Sequence, residues 1–160
     1  MLASEPGPIR RIPGERVVKM INADTLQSKI TWYCETYNIL PIFKLSEPYD
    51  VDSVSKEQYP NSDRQGCYAI FTASDELLYI GKASNYNVMG FRLGAIFHRN
   101  ADKTAYVARG DFGGKKPQII RTIPVNKPYE APSLEEFLIR ELQPPCNTIG
   151  KDGTEALNAD

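Results

Sequence analysis

Residues 66–82 constrain the fold more than any other stretch. They read Gly66-Cys67-Tyr68-Ala69-Ile70-Phe71, then the turn residues Ser74 and Asp75, then Leu77-Leu78-Tyr79-Ile80-Gly81-Lys82. Aromatic and β-branched residues on both sides of a short polar turn predict a β-hairpin. A turn centred between Ser74 and Asp75 sets Ile70 opposite Tyr79 and Tyr68 opposite Gly81. Period-two alternation then points both tyrosines to one face and Cys67 to the other. Gly81 leaves a gap beside Tyr68 where a backbone or a substrate can approach closely.

The flanking segments alternate between helix and strand. Asn22-Ala23-Asp24 offers helix-start chemistry ahead of Leu26, Ile30, Tyr33 and Ile39, which predicts a helix over 24–38. Residues 1–16, with Pro6, Pro8, Pro13 and Gly14, read as an extended arm, and the turn-rich, acidic residues 45–64 as a linker or long loop. Phe91, Ala95 and Ile96 at helical spacing predict a helix near 88–100, and Thr104–Ala108 and Ile119–Val125 read as strands. The glycine and lysine residues of the 110–116 loop lack Walker spacing, so this is no nucleotide-binding P-loop.

A last helix is predicted from Ser133, with Glu136 in capping-box spacing and Leu134, Leu138 and Leu142 as its buried stripe. Pro144-Pro145 ends it, and Cys146-Asn147 follows in a turn. The fold class is α/β, a small central and mainly antiparallel sheet flanked by helices. The expected organisation is an N-terminal extension at 1–64 that contains a helix, a domain at 65–150 and a polar tail at 151–160.

A chain of 160 residues with 41% hydrophobic content has enough apolar surface for one domain with a real core. No run approaches eighteen apolar residues and the N-terminus lacks a signal's apolar centre, so the expectation is a soluble cytoplasmic protein without a membrane partner. Cys34, Cys67 and Cys146 are odd in number and widely spaced, and one histidine accompanies them, which argues against a zinc site or a disulfide framework. The net charge of −1 conceals a polarity: residues 82–127 carry nine Lys/Arg against two acids. A local charge of +7 attracts phosphates whatever the sum over the chain, because screening acts over roughly 8–10 Å.

The two triplets Gly66-Cys67-Tyr68 and Tyr79-Ile80-Gly81, the lysine Lys82, an arginine on the next predicted helix (Arg92), and Glu135 twelve residues before Asn147 occur in one order. In this the chain resembles the GIY-YIG endonuclease family, over about residues 65–150. It departs from the pattern at Cys67, where the family name has isoleucine, and the gap from Lys82 to Arg92 is longer than in compact members, which keeps Arg99 in reserve. The resemblance implies a metal-dependent endonuclease acting on DNA, with target choice taken from appended segments. Tyr68 is then implied to polarise the attacking water, Tyr79 to position water or phosphate, and Asn147 to tie the C-terminal turn to the site. Lys82 matches the lysine that commonly follows the second motif.

The chemistry suits these residue types. A phosphodiester already carries negative charge, so its hydrolysis needs a nucleophilic water, a base and positive charge on the transition state. Glu135 can hold one hard cation, Mg²⁺ (or Mn²⁺), with water and phosphate oxygens completing the shell. Arg92 supplies a planar fork that is always charged. A lysine ammonium at Lys82 is expected to favour the phenolate of Tyr68. His98 follows Arg92 by six residues, off the helical repeat, and stays open between a site role and a plain helix position. Lys82, Arg92, Arg99, Lys115 and Lys116 are the candidate DNA contacts. A fold kept only for binding, a subunit of a larger nuclease assembly, and a homodimer that cuts both strands are the readings the residues leave open.

Overall fold

The computed structural model describes residues 20–53, 57–102 and 105–148. The predicted arm at 1–16, the tail at 151–160 and the predicted strand start at Thr104 lie outside them. The first helix, α1 (Ala23–Thr36), starts where Asn22 Oδ1 accepts from the Thr25 amide at 2.9 Å. Side chains of this type satisfy one of the donors that a helix N-terminus leaves over. Leu26, Ile30, Tyr33 and Cys34 form its buried stripe.

Next come β1 (Tyr49–Asp50), β2 (Gly66–Phe71) and β3 (Leu77–Ala83), then α2 (Met89–Ile96), β4 (Phe97–Arg99), β5 (Tyr106–Ala108), β6 (Ile119–Pro124) and α3 (Glu130–Leu142). The order β1-β6-β2-β3 forms one sheet, antiparallel at every pairing, and β4 with β5 forms a separate ribbon. This is the α/β arrangement that the GIY-YIG resemblance implies.

The hairpin register is the predicted one: Tyr68 pairs with Gly81 and Ile70 with Tyr79. Beyond Ile70 a register shift sets Phe71 against Leu77. Every residue of β2 is buried, which a central strand covered on both faces requires. On one face Cys67, Ala69, Phe71, Ile80 and Ile123 pack against α1 and α3. On the other, Tyr68, Ile70 and Ile120 pack against Leu93 of α2 and Phe97 of β4, with Tyr79 and Tyr106 at the margin.

Two element ends differ from their predicted places. The helix predicted over 88–100 stops at Ile96, and Phe97–Arg99 leaves it as a strand paired with Tyr106–Ala108. Its buried residues are Met89 and Leu93, while Phe91 is 66% exposed. The final helix starts one turn before Ser133: Pro132 sits in its first turn, where a missing N–H breaks no bond. Ser133 is freed from capping, and its hydroxyl meets the Tyr33 hydroxyl at 2.5 Å, joining α1 to α3. Among the described residues no helix is long and apolar enough to cross a membrane.

Candidate active site

β3 is an edge strand, with α3 on one face of the sheet and α2 on the other, and the predicted site residues gather at this edge. Gly81 decides the placement of Tyr68. A Cβ at Gly81 would collide with the phenol tip of Tyr68, so the gap foreseen for a backbone or a substrate is filled by the Tyr68 ring itself. The ring lies beside that of Tyr79, centroids 6.3 Å apart, and the two phenols share a hydrogen bond.

Arg92 reaches this pair from α2 and hydrogen-bonds the Tyr68 phenol. Burial pushes the Tyr68 phenol well above the ordinary tyrosine range and Tyr79 adds to the shift, while Arg92 opposes it. Tyr79 is also raised, by burial first and then by Glu135. The expectation of a Tyr68 phenolate favoured by Lys82 is therefore corrected. Lys82 pairs across the strands with Cys67 and so projects from the α3 face, and the cation beside Tyr68 is Arg92. Both phenols stay neutral at physiological pH.

Glu135 comes from α3, half-buried at the margin of the Leu134–Leu138–Leu142 face, as its helical spacing predicts. Burial raises its carboxyl, and Lys82 and then Arg92 pull the other way. Its neighbour Glu136 is exposed. Asn147 is 6% exposed and binds the β3 backbone twice: Nδ2 donates to the Ile80 carbonyl at 2.8 Å and Oδ1 accepts from the Ile80 amide at 2.9 Å. The Cys146 amide donates to the Leu78 carbonyl at 2.9 Å. The C-terminal turn is thus stitched along the edge strand.

Tyr68, Tyr79, Lys82, Arg92 and Glu135 converge, and Asn147 braces them. His98 and Arg99 stand apart, on β4 rather than on a helix. His98 pairs with Val107, its Nδ1 is buried and has no hydrogen-bond partner among the described residues, and it is not among the groups that shift the tyrosines or Glu135 there. Arg99 lies over the Tyr106 ring, 5.4 Å from its centroid, so Arg92 is the arginine of the cluster. Lys115 and Lys116 ion-pair with Glu76 and Asp52, which ties down the loop that carries them.

Sequence reasoning missed what holds α2. The Met89 and Gly90 amides donate to the Arg64 and Ser62 carbonyls at 2.8 and 2.9 Å, and a Cβ on Gly90 would sit 2.8 Å from Ser62. The signal was a glycine in the first turn of a helix, a costly residue unless something must approach it. Arg109 and Phe112, beside Tyr79, were missed as well.

Glu135 is the residue here that could hold a metal ion. Its carboxyl is desolvated, with Lys82 and Arg92 opposing the shift without cancelling it, and a hard divalent cation would relieve that cost. No cluster of three His, Cys, Asp or Glu occurs among the described residues. The donor set thus fits one ion held by a single carboxylate, with solvent and substrate supplying the other oxygens.

The chain is similar to proteins called UvrABC system protein C. It is 36% identical to that of Pseudomonas entomophila over 110 residues, 68% of this chain and 16% of the relative. It is 39% identical to that of Pseudomonas protegens over 93 residues, 57% of this chain and 14% of the relative. With that of Chlamydia pneumoniae the identity is 34% over 102 residues, 64% of this chain and 16% of the relative. The chain therefore spans about a sixth of the length of these relatives. No family model matches it. No solved structure matches it either.

Proposed function

We propose that the chain is an endonuclease that hydrolyses phosphodiester bonds in DNA with the help of one Mg²⁺ or Mn²⁺ ion. The observation that carries this reading is the meeting of a desolvated carboxylate, two cations and two linked phenols at one sheet edge. A purely binding surface gains nothing from a carboxylate placed between phosphate-binding cations. Repair, homing and restriction are the roles open to the family the chain resembles, and similarity to UvrABC system protein C favours repair among them and work within a multi-protein system.

In the proposed reaction the scissile phosphate docks against Arg92 and Lys82, which offset the charge that grows on its oxygens. Tyr68 is fully covered and Tyr79 only partly, so Tyr79 presents the outer oxygen of the phenol pair to the attacking water. Tyr68 beneath it holds both Tyr79 and Arg92 in place. As neutral phenols the pair aligns the water through hydrogen bonds and does not remove its proton as phenolate. The water oxygen bonds to phosphorus as the bond to the leaving sugar oxygen breaks; the proton that water loses passes to solvent, and the leaving oxygen takes a proton from solvent to depart as a hydroxyl. A divalent ion on Glu135, when bound, would lower the pKa of a coordinated water and screen the phosphate.

Incubation of the chain with supercoiled plasmid, in Mg²⁺ and in EDTA, tests the reading. Nicking is expected in Mg²⁺ alone, while gel-shift binding persists in both. Equal nicking in EDTA would sink the metal role, and no nicking under either condition would sink the nuclease assignment.

A further inference from the structure

An open cavity borders the cluster. It encloses about 240 Å³ and is lined by Tyr79, Ile96, Arg109, Asp111, Phe112 and Cys146. Because Tyr79 also belongs to the proposed catalytic group, an occupant of this cavity would touch that group.

Its wall is fixed by the loop's own bonds. The Arg109 amide donates to the Ile96 carbonyl at 2.7 Å, anchoring the loop to the end of α2, and the Gly113 amide donates to Asp111 Oδ1 at 2.8 Å. Gly110 takes φ 116°, a conformation that side chains rarely adopt, with the Phe112 ring against it. At the far end Lys115 and Lys116 hold Glu76 and Asp52. The cavity is thus built before any ligand arrives, which spares the cost of ordering a loop on binding.

Size and lining select the occupant. The volume falls below the roughly 300 Å³ at which pockets for drug-sized ligands begin, and suits one flat ring system. Aromatic walls at Tyr79 and Phe112 offer stacking. The Asp111 carboxylate repels a phosphate but accepts a hydrogen bond from a ring N–H or an exocyclic amine. Arg109 is an exposed cation of the basic segment and suits the phosphate that follows.

We propose that this cavity receives one unpaired nucleobase of the DNA strand being cut. The base stacks on Phe112 and Tyr79, Asp111 reads an N–H on it, and Arg109 holds the next phosphate. The inference rests on the nuclease reading of the adjoining cluster and narrows its substrate class. A paired base must first be unstacked to enter, so DNA with an unpaired base next to the cut is the better substrate.

The test compares, for the full chain in Mg²⁺, two labelled duplexes that are identical except for one bulged base. Wild type should prefer the bulged duplex by at least about tenfold in kcat/KM, with cuts beside the bulge. Phe112→Ala should bring that ratio near unity, Phe112→Trp should keep it, and Arg109→Ala should raise KM. Equal cleavage of the two duplexes by wild type, or a preference that survives Phe112→Ala, would overturn the proposal. Anisotropy binding in EDTA separates the two readings if neither duplex is cut. Tighter binding of the bulged duplex, lost in Phe112→Ala, would uphold the cavity while the nuclease reading falls. Equal binding of both duplexes would remove the cavity as well.

Discussion

Glu135 shows how one side chain couples chemistry to stability. Its folded carboxyl is raised above the usual 4.5, chiefly by burial, so the native state holds that proton more tightly than the unfolded chain does. Its contribution to stability is therefore full below the unfolded pKa and is lost as pH rises through the folded one. Glu135→Gln should melt at a higher temperature than wild type at pH 7, and the gain should vanish near pH ~3.5. The same substitution should abolish metal-dependent nicking, while the exposed Glu136→Gln keeps it. Nicking by both variants would remove Glu135 from the mechanism. In metal-free buffer the Glu135 carboxyl should titrate above the ordinary glutamate range, and titration at 4.5 or below would contradict a desolvated carboxyl. Tyr68→Phe removes the hydroxyl that holds Tyr79 and Arg92, and should slow turnover by about tenfold, or 1.4 kcal/mol of barrier.

Among the elements, α2 is the one whose placement the proposed activity needs, since it delivers Arg92 to the phenols. Gly90→Ala pushes a methyl against Ser62, and overpacking of this kind costs about 1–3 kcal/mol. The measurable consequence is a fall in kcat larger than any rise in KM, because the helix shifts while the basic surface remains. A variant that melts early yet turns over normally would show that α2 has slack. The hairpin could be read in the sequence because its turn and alternation are local. The end of α2 could not, because Phe97–Arg99 becomes a strand only through pairing with Tyr106–Ala108. The two-residue β1 exists only by pairing with β6. Lys115 and Lys116 looked free in the sequence because their acidic partners lie 39 and 64 residues away. That Tyr68, Tyr79, Lys82, Arg92 and Glu135 gather was legible as residue types in order; the covered state of Tyr68 was not, since it depends on α2 closing over the sheet.

Across the whole molecule, charge is arranged against the net value of −1. The excess of lysine and arginine in 82–127 should make DNA affinity fall steeply with salt, each phosphate neutralised adding about 0.9 to the log-log slope. Arg109→Ala should flatten that slope by about one such step if its guanidinium holds a phosphate. Lys115→Ala with Lys116→Ala should instead act mainly through the loop they anchor, loosening it with little change in slope. A large drop in slope from the lysine pair would mean that they exchange Glu76 and Asp52 for phosphate when DNA binds.

The binding of Asn147 and Cys146 to β3 also guards the molecule against its own copies. β3 ends the sheet, and the Ile80 amide, the Ile80 carbonyl and the Leu78 carbonyl are all taken by this turn. A chain truncated after Leu142 keeps every described helix and strand but leaves those three groups bare on an apolar edge, a template for strand-to-strand addition. Such a truncation should fold and then self-associate as concentration rises, seen as growing mass in light scattering, while the full chain at equal concentration does not.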